Sequence, residues 1–158
     1  EFMTAWSETT LGYVNQLSCE DPLTGLATQA HLRGRFAELY RVNACPNQAH
    51  ALVVVELSDL EDDEDAHSGD HFTRAMRISR MGEAARVVFN QVETIGRLGS
   101  ARVGIIATRD DRLGRRVRVL RTLLVGTDPL RREARVWIEG LPSSDASLAI
   151  LIDELARQ

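Results

Sequence analysis

Lysine is absent from this chain: all nineteen basic residues among its 158 are arginines. That excludes a Schiff-base lysine, a Walker-type phosphate lysine and a lysine general base. Cysteine is scarce too. Cys19 and Cys45 have no metal-ligand spacing, are too few for a disulfide scaffold, and read as reduced thiols. No apolar run approaches the roughly 20 residues that span a bilayer, and no secretory signal is present. There is no Gly-x-Ser-x-Gly elbow, and no serine–histidine or cysteine–histidine pairing is legible. Internal repeats and low-complexity segments are missing as well, so a single domain with a sizeable core is expected. Glu1-Phe2 reads as a cloning remnant ahead of a native start at Met3.

What is present is a segregated charge. The net charge is −4, yet Glu56, Asp59, Glu61, Asp62, Asp63, Glu64, Asp65 and Asp70 cluster in one stretch. Arginines 109, 112, 115, 116, 118 and 121 cluster in another. The acidic stretch lacks the alternating ligands and central glycine of a calcium loop, which leaves a solvated loop. His67 and His71 flank Gly69-Asp70, but the glycine weakens any helix that would align them on zinc, and they read as surface histidines. No aromatic residue sits among the arginines to stack a base, so nucleic acid is not expected. Arg112, Arg115 and Arg116 are the candidate basic contact surface, with a salt-bridged or solvated helix face as the plainer reading.

Hydrophobic periodicity gives the elements. Trp6, Leu11, Tyr13, Val14 and Leu17 predict an amphipathic helix over 3–19. A helix over about 28–43, capped by Thr28, carries Leu32, Phe36, Leu39 and Tyr40. Asn43 to Gln48 reads as loop. Ala51 to Leu57 is a β-branched run suited to a strand buried on both faces. A helix over about 71–91 has Phe72, Met76, Ala85, Val88 and Val92 near one stripe. Thr94–Leu98 and Ala101–Thr108 flank Gly99-Ser100, expected as a two-residue hairpin turn with positive φ at the glycine. Leu113, Val117, Leu120 and Leu124 line the helix of 111–125. Strand 134–140 should turn Val136 and Ile138 to one face. Ser144-Asp145 then caps a last helix bearing Leu148, Leu151, Ile152 and Leu155. The core order is βαββαβ, an α+β split arrangement with an antiparallel sheet and helices on one face.

Asp21-Pro22-Leu23-Thr24-Gly25-Leu26 resembles the opening signature of GGDEF domains, the diguanylate cyclases, and the element order suits their palm-like core. The resemblance covers about residues 20–155 and assigns 20–158 to a degenerate GGDEF-like domain. A start at Met3 would leave no room for the sensor domain that usually precedes one. At the family's Gly-Gly-Asp/Glu-Glu-Phe position stand Gly99, Ser100, Ala101, Arg102 and Val103. The resemblance implies two magnesium ions held by carboxylates at the end of the first strand and at the third signature position. Here those positions align with Glu56 and Ala101, and alanine coordinates nothing. Glu56 and Asp70 are the candidate residual nucleotide or metal contacts. The inhibitory Arg-x-x-Asp aligns with Asn90-Gln91-Val92-Glu93, without its arginine. The implied protein is a catalytically inactive, cytoplasmic bacterial signalling or interaction module without a cofactor or resident metal. It is expected to be homodimeric, with an unidentified protein partner. The alternative is a non-catalytic receptor for GTP or cyclic di-GMP.

Overall fold

The computed structural model describes residues 19–57, 70–89, 93–127 and 134–157. The helix expected over 3–19, most of the acidic stretch and His67 lie outside them. The described elements are α1 (Gln29–Val42), α2 (Pro46–Ala49), β1 (His50–Leu57), α3 (Asp70–Val88), β2 (Ile95–Leu98), β3 (Arg102–Thr108), α4 (Leu113–Thr127), β4 (Ala134–Glu139) and α5 (Asp145–Arg157). The four strands lie in the order β2-β3-β1-β4, with every neighbouring pair antiparallel.

Because side chains alternate along a strand, β1 feeds two cores. Val53 and Val55 pack with Ile78, Met81 and Phe89 of the α3 segment and with Leu113, Val117, Leu120 and Leu124 of α4. Leu52 and Val54 pack with Leu32 and Phe36 of α1 and Leu148 and Ile152 of α5. The expectation of helices on one face therefore needs correcting. It holds for α3 and α4, while α1 and α5 cover the opposite face. β1 is buried on both sides, and each aliphatic side chain sealed there contributes about 1.5–3 kcal/mol.

Local signals place the ends. The Thr28 hydroxyl accepts a hydrogen bond from the His31 N–H at 3.2 Å, capping α1, and Ser144 caps α5 through the Ser147 N–H at 3.2 Å. Tyr40 ties the first helix to the last connection, donating to the Pro142 carbonyl at 2.6 Å.

Three readings change. The segment expected as loop before β1 contains α2, which starts on Pro46, a residue suited to a first helical turn. Phe72 and Met76 of α3 are exposed, at 72% and 44%, because the buried stripe runs through Ala75, Ile78, Met81 and Ala85. Ile138 is 39% exposed, whereas Val136 is buried.

Candidate functional site

Asp21 to Leu26 folds into a closed turn. The Asp21 carbonyl accepts from the Gly25 N–H at 2.7 Å, and its own N–H donates to Leu26 O at 2.7 Å. Gly25 sits at φ +66°, a left-handed conformation that a glycine adopts without cost. The Asp21 carboxylate accepts from the Leu23 N–H at 3.0 Å, the Thr24 hydroxyl at 3.1 Å and the Arg97 guanidinium at 2.6 Å. Arg97 also donates through Nε to the Gly99 carbonyl at 2.9 Å. The motif therefore holds the end of β2, one residue before the turn that follows. Burial alone would raise the Asp21 carboxyl. Hydrogen bonds from Arg97, Leu23 and Thr24, together with the Arg97 charge, outweigh burial and hold it below the ordinary value. Sequence reasoning missed Arg97, since an arginine on an edge strand carries no signal until its carboxylate is located.

Leu98 and Arg102 are the last paired residues of the β2–β3 hairpin. The turn thus holds three residues, Gly99, Ser100 and Ala101, rather than the expected two. Gly99 has φ +62°. A side chain there would also be obstructed, because an added Cβ would lie 2.2 Å from the Ala156 carbonyl oxygen of α5. The absent side chain lets the last helix seat its C-terminal turn on the hairpin.

Arg102 is 6% exposed. It faces Glu56 across β3 and β1 as a register partner, and both its Nε, at 2.8 Å, and one terminal nitrogen donate to Glu56 Oε1. The other terminal nitrogen donates to Leu155 O at 2.8 Å. The guanidinium also lies 5.8 Å from the Trp137 ring centre. The second Glu56 oxygen lies 3.7 Å from Arg135 of β4. One arginine thus joins the hairpin, the central strand and the end of α5.

These residues do not fit a divalent ion. Glu56 is already engaged by two guanidiniums, the Ala101 side chain offers no donor, and Arg102 sets a positive charge against the one carboxylate present. Among the described residues, no group of three or more His, Cys, Asp or Glu side chains could hold a metal ion. Asp70, the other candidate contact, is the first residue of α3.

The arginine set divides. Arg116 turns inward: it binds both Glu93 oxygens at 3.0 and 2.9 Å and lies 4.9 Å from the Phe89 ring centre. Glu93 also accepts from the Thr108 N–H at 3.1 Å. Arg116 is therefore removed from the candidate contact surface, while Arg112 and Arg115 stay exposed. Of the inhibitory-site segment, 90–92 lies outside the described residues. A cleft of about 540 Å³ opens beside Glu93, lined also by Glu20, His31 and Arg86.

A four-stranded antiparallel sheet in this order, faced by helices and carrying a tight hairpin beside the end of its central strand, defines a palm-like α+β domain. Comparison with solved structures assigns that domain the fold of GGDEF domains. The diguanylate cyclase SiaD from Pseudomonas aeruginosa, solved with its activator SiaC, superposes with a TM-score of 0.67 at 17% identity, over 98% of this chain and 64% of its own. The GGDEF domain of FimX from Pseudomonas aeruginosa gives 0.62 at 14% identity, covering 89% of this chain and 94% of its own. The GGDEF domain of DgcB from Caulobacter crescentus, solved with c-di-GMP, gives 0.62 at 14% identity, covering 88% and 85%. No family model matches the chain, and no curated protein does. No helix among the described residues is long and apolar enough to cross a membrane.

Proposed function

We propose that this chain is a GGDEF-like signalling module that has given up the cyclase reaction and works by protein interaction, as a homodimer in the cytoplasm. The observation that carries this reading is Arg102. Joining two nucleotides needs a divalent cation to offset charge on the transferring phosphate and activate the attacking hydroxyl. Here the strand-end carboxylate is neutralised by a guanidinium, which offers no open coordination position. SiaD, of whose length this chain covers 64%, was solved with its activator SiaC, which supports a protein partner here. The test is incubation of the purified protein with GTP and magnesium or manganese. No cyclic di-GMP should form, and a metal-dependent product would overturn the reading.

A non-catalytic nucleotide receptor is the second reading. The cleft at Glu93, with Arg86 and His31 on its walls, favours it, as does the c-di-GMP bound in the DgcB structure. Calorimetry with cyclic di-GMP, and separately with GTP plus magnesium, separates the two. Micromolar heats make the protein a receptor, and silence with both leaves an interaction module.

A further inference from the structure

We propose that the outward face of α4 docks an acidic amphipathic helix of a partner protein. Leu113, Val117, Leu120 and Leu124 turn inward. Arg112, Arg115, Arg118, Val119 and Val125 lie on the exposed side, with Val119 46% and Val125 47% exposed. The other two arginines of the helix are engaged, Arg116 with Glu93 and Arg121 with the Val136 carbonyl at 2.7 Å. The guanidiniums of Arg112, Arg115 and Arg118 have no hydrogen bond or ion pair among the described residues.

This face works against the stability of its own helix. The segment Leu113–Thr127 contains no acidic residue, so like charges three apart, as at 112 and 115 or 115 and 118, repel along the helix. Arginines in the first turn also oppose the helix dipole. Asp110 ahead of the helix offsets part of these costs, its carboxylate accepting from the Arg112 N–H at 3.0 Å and lying 3.6 Å from Arg116. Among the described residues, however, no carboxylate pairs with the guanidiniums of Arg112, Arg115 or Arg118, which an anionic partner would do. The strip is basic at 112, 115 and 118 and carries exposed valines at 119, beside Arg118, and at 125, near its end. That sequence of chemistry matches a helix with carboxylates on one half and aliphatic residues on the other, crossing a contact about 20 Å long.

Other occupants fit less well. α4 has no aromatic residue for base stacking, and the net charge of −4 opposes a polyanion. A two-fold pairing of this face with itself would bring no carboxylate of α4 to the arginines, since Leu113–Thr127 contains none. The proposal deepens the interaction-module reading and rests on it, yet it fails separately. Cyclic di-GMP formation would remove that reading, whereas loss of peptide binding would remove only the docking face.

The probe is a fluorescein-labelled helical peptide bearing glutamates on one face of its first turns and leucines on the same face of its last, followed by anisotropy. Wild type should bind it. Arg112→Glu/Arg115→Glu should weaken binding by about tenfold or more, and Val119→Asp should weaken it too. Arg41→Glu/Arg157→Glu, which changes net charge equally at other exposed sites, should stay within about twofold. Far-UV circular dichroism verifies that each variant is folded. Any one of four results overturns the proposal: no binding by wild type, equal loss in both arginine pairs, indifference to Val119→Asp, or tighter binding of a short DNA duplex than of the peptide. Sedimentation showing self-association lost in Arg112→Glu/Arg115→Glu would overturn it as well, because a second copy would then occupy the face.

Discussion

Arg102 and Glu56 are register partners on adjacent strands, and the guanidinium of one donates twice to a single oxygen of the other. Their side chains are 7% and 17% exposed, so the pair sits in a poorly hydrated setting where each charge needs the other. An arginine in this place occupies the carboxylate at the end of β1 and ties α5 to the hairpin.

Removing one partner should be costly. Among the described residues, Arg102→Ala leaves Glu56 with only Arg135, itself 74% exposed and 3.7 Å away. A loss of about 3–5 kcal/mol is expected in urea unfolding. Arg102→Met combined with Glu56→Leu should recover most of that loss, since a buried pair replaced by matched apolar groups is often neutral. A double variant no more stable than Arg102→Ala would show that the pair is not the source.

Gly99 should tolerate no side chain, and for a structural reason. Gly99→Ala requires a left-handed alanine, costing about 1–2 kcal/mol, and sets its Cβ 2.2 Å from Ala156 O. The melting temperature should fall by roughly 4 °C or more. Gly114→Ala, where an added Cβ meets nothing within 4 Å, should leave it unchanged or higher.

Asp21 predicts an acid limb of the stability curve. Its folded pKa is depressed, so its contribution is complete above the unfolded carboxylate value of about 3.9. That contribution is lost as the pH falls through the lower folded value. Asp21→Asn should destabilise the protein at neutral pH by about 1.5–3 kcal/mol, the worth of hydrogen bonds to a charged group. It should also flatten the dependence on pH below 4. An unchanged slope would place the acid sensitivity elsewhere.

Arg116 and Arg115 are sequence neighbours with opposite expectations. Arg116→Ala strands the Glu93 carboxylate, whose side chain is 10% exposed, and should cost about 2 kcal/mol or more. Arg115→Ala should stay within about 0.5 kcal/mol. Equal effects would contradict the inward assignment of Arg116.

Much of this was legible in the residues. The β-branched run of β1, the leucine stripe of α4, the Thr28 cap and the positive φ at Gly99 rest on local pattern, and local pattern survives folding. Phe72 and Met76 misled because α3 buries alanines beside Ile78 and Met81; small residues write a weak stripe that larger exposed ones outshout. The second helical face was missed because covering it depends on where α1 and α5 return, which no period encodes. Arg102 could be read as a reversed charge, but its partner depends on the β1–β3 register and its carbonyl contact on α5. The division between Arg115 and Arg116 likewise depends on Glu93, more than twenty residues away.

The most direct test is a manganese titration followed by electron paramagnetic resonance, on wild type and on Glu56→Gln. With Arg102 holding the carboxylate, the two proteins should bind manganese identically, whatever the acidic stretch contributes. A site present in wild type and lost in Glu56→Gln would contradict the account, because the strand-end carboxylate would then be open to a metal after all.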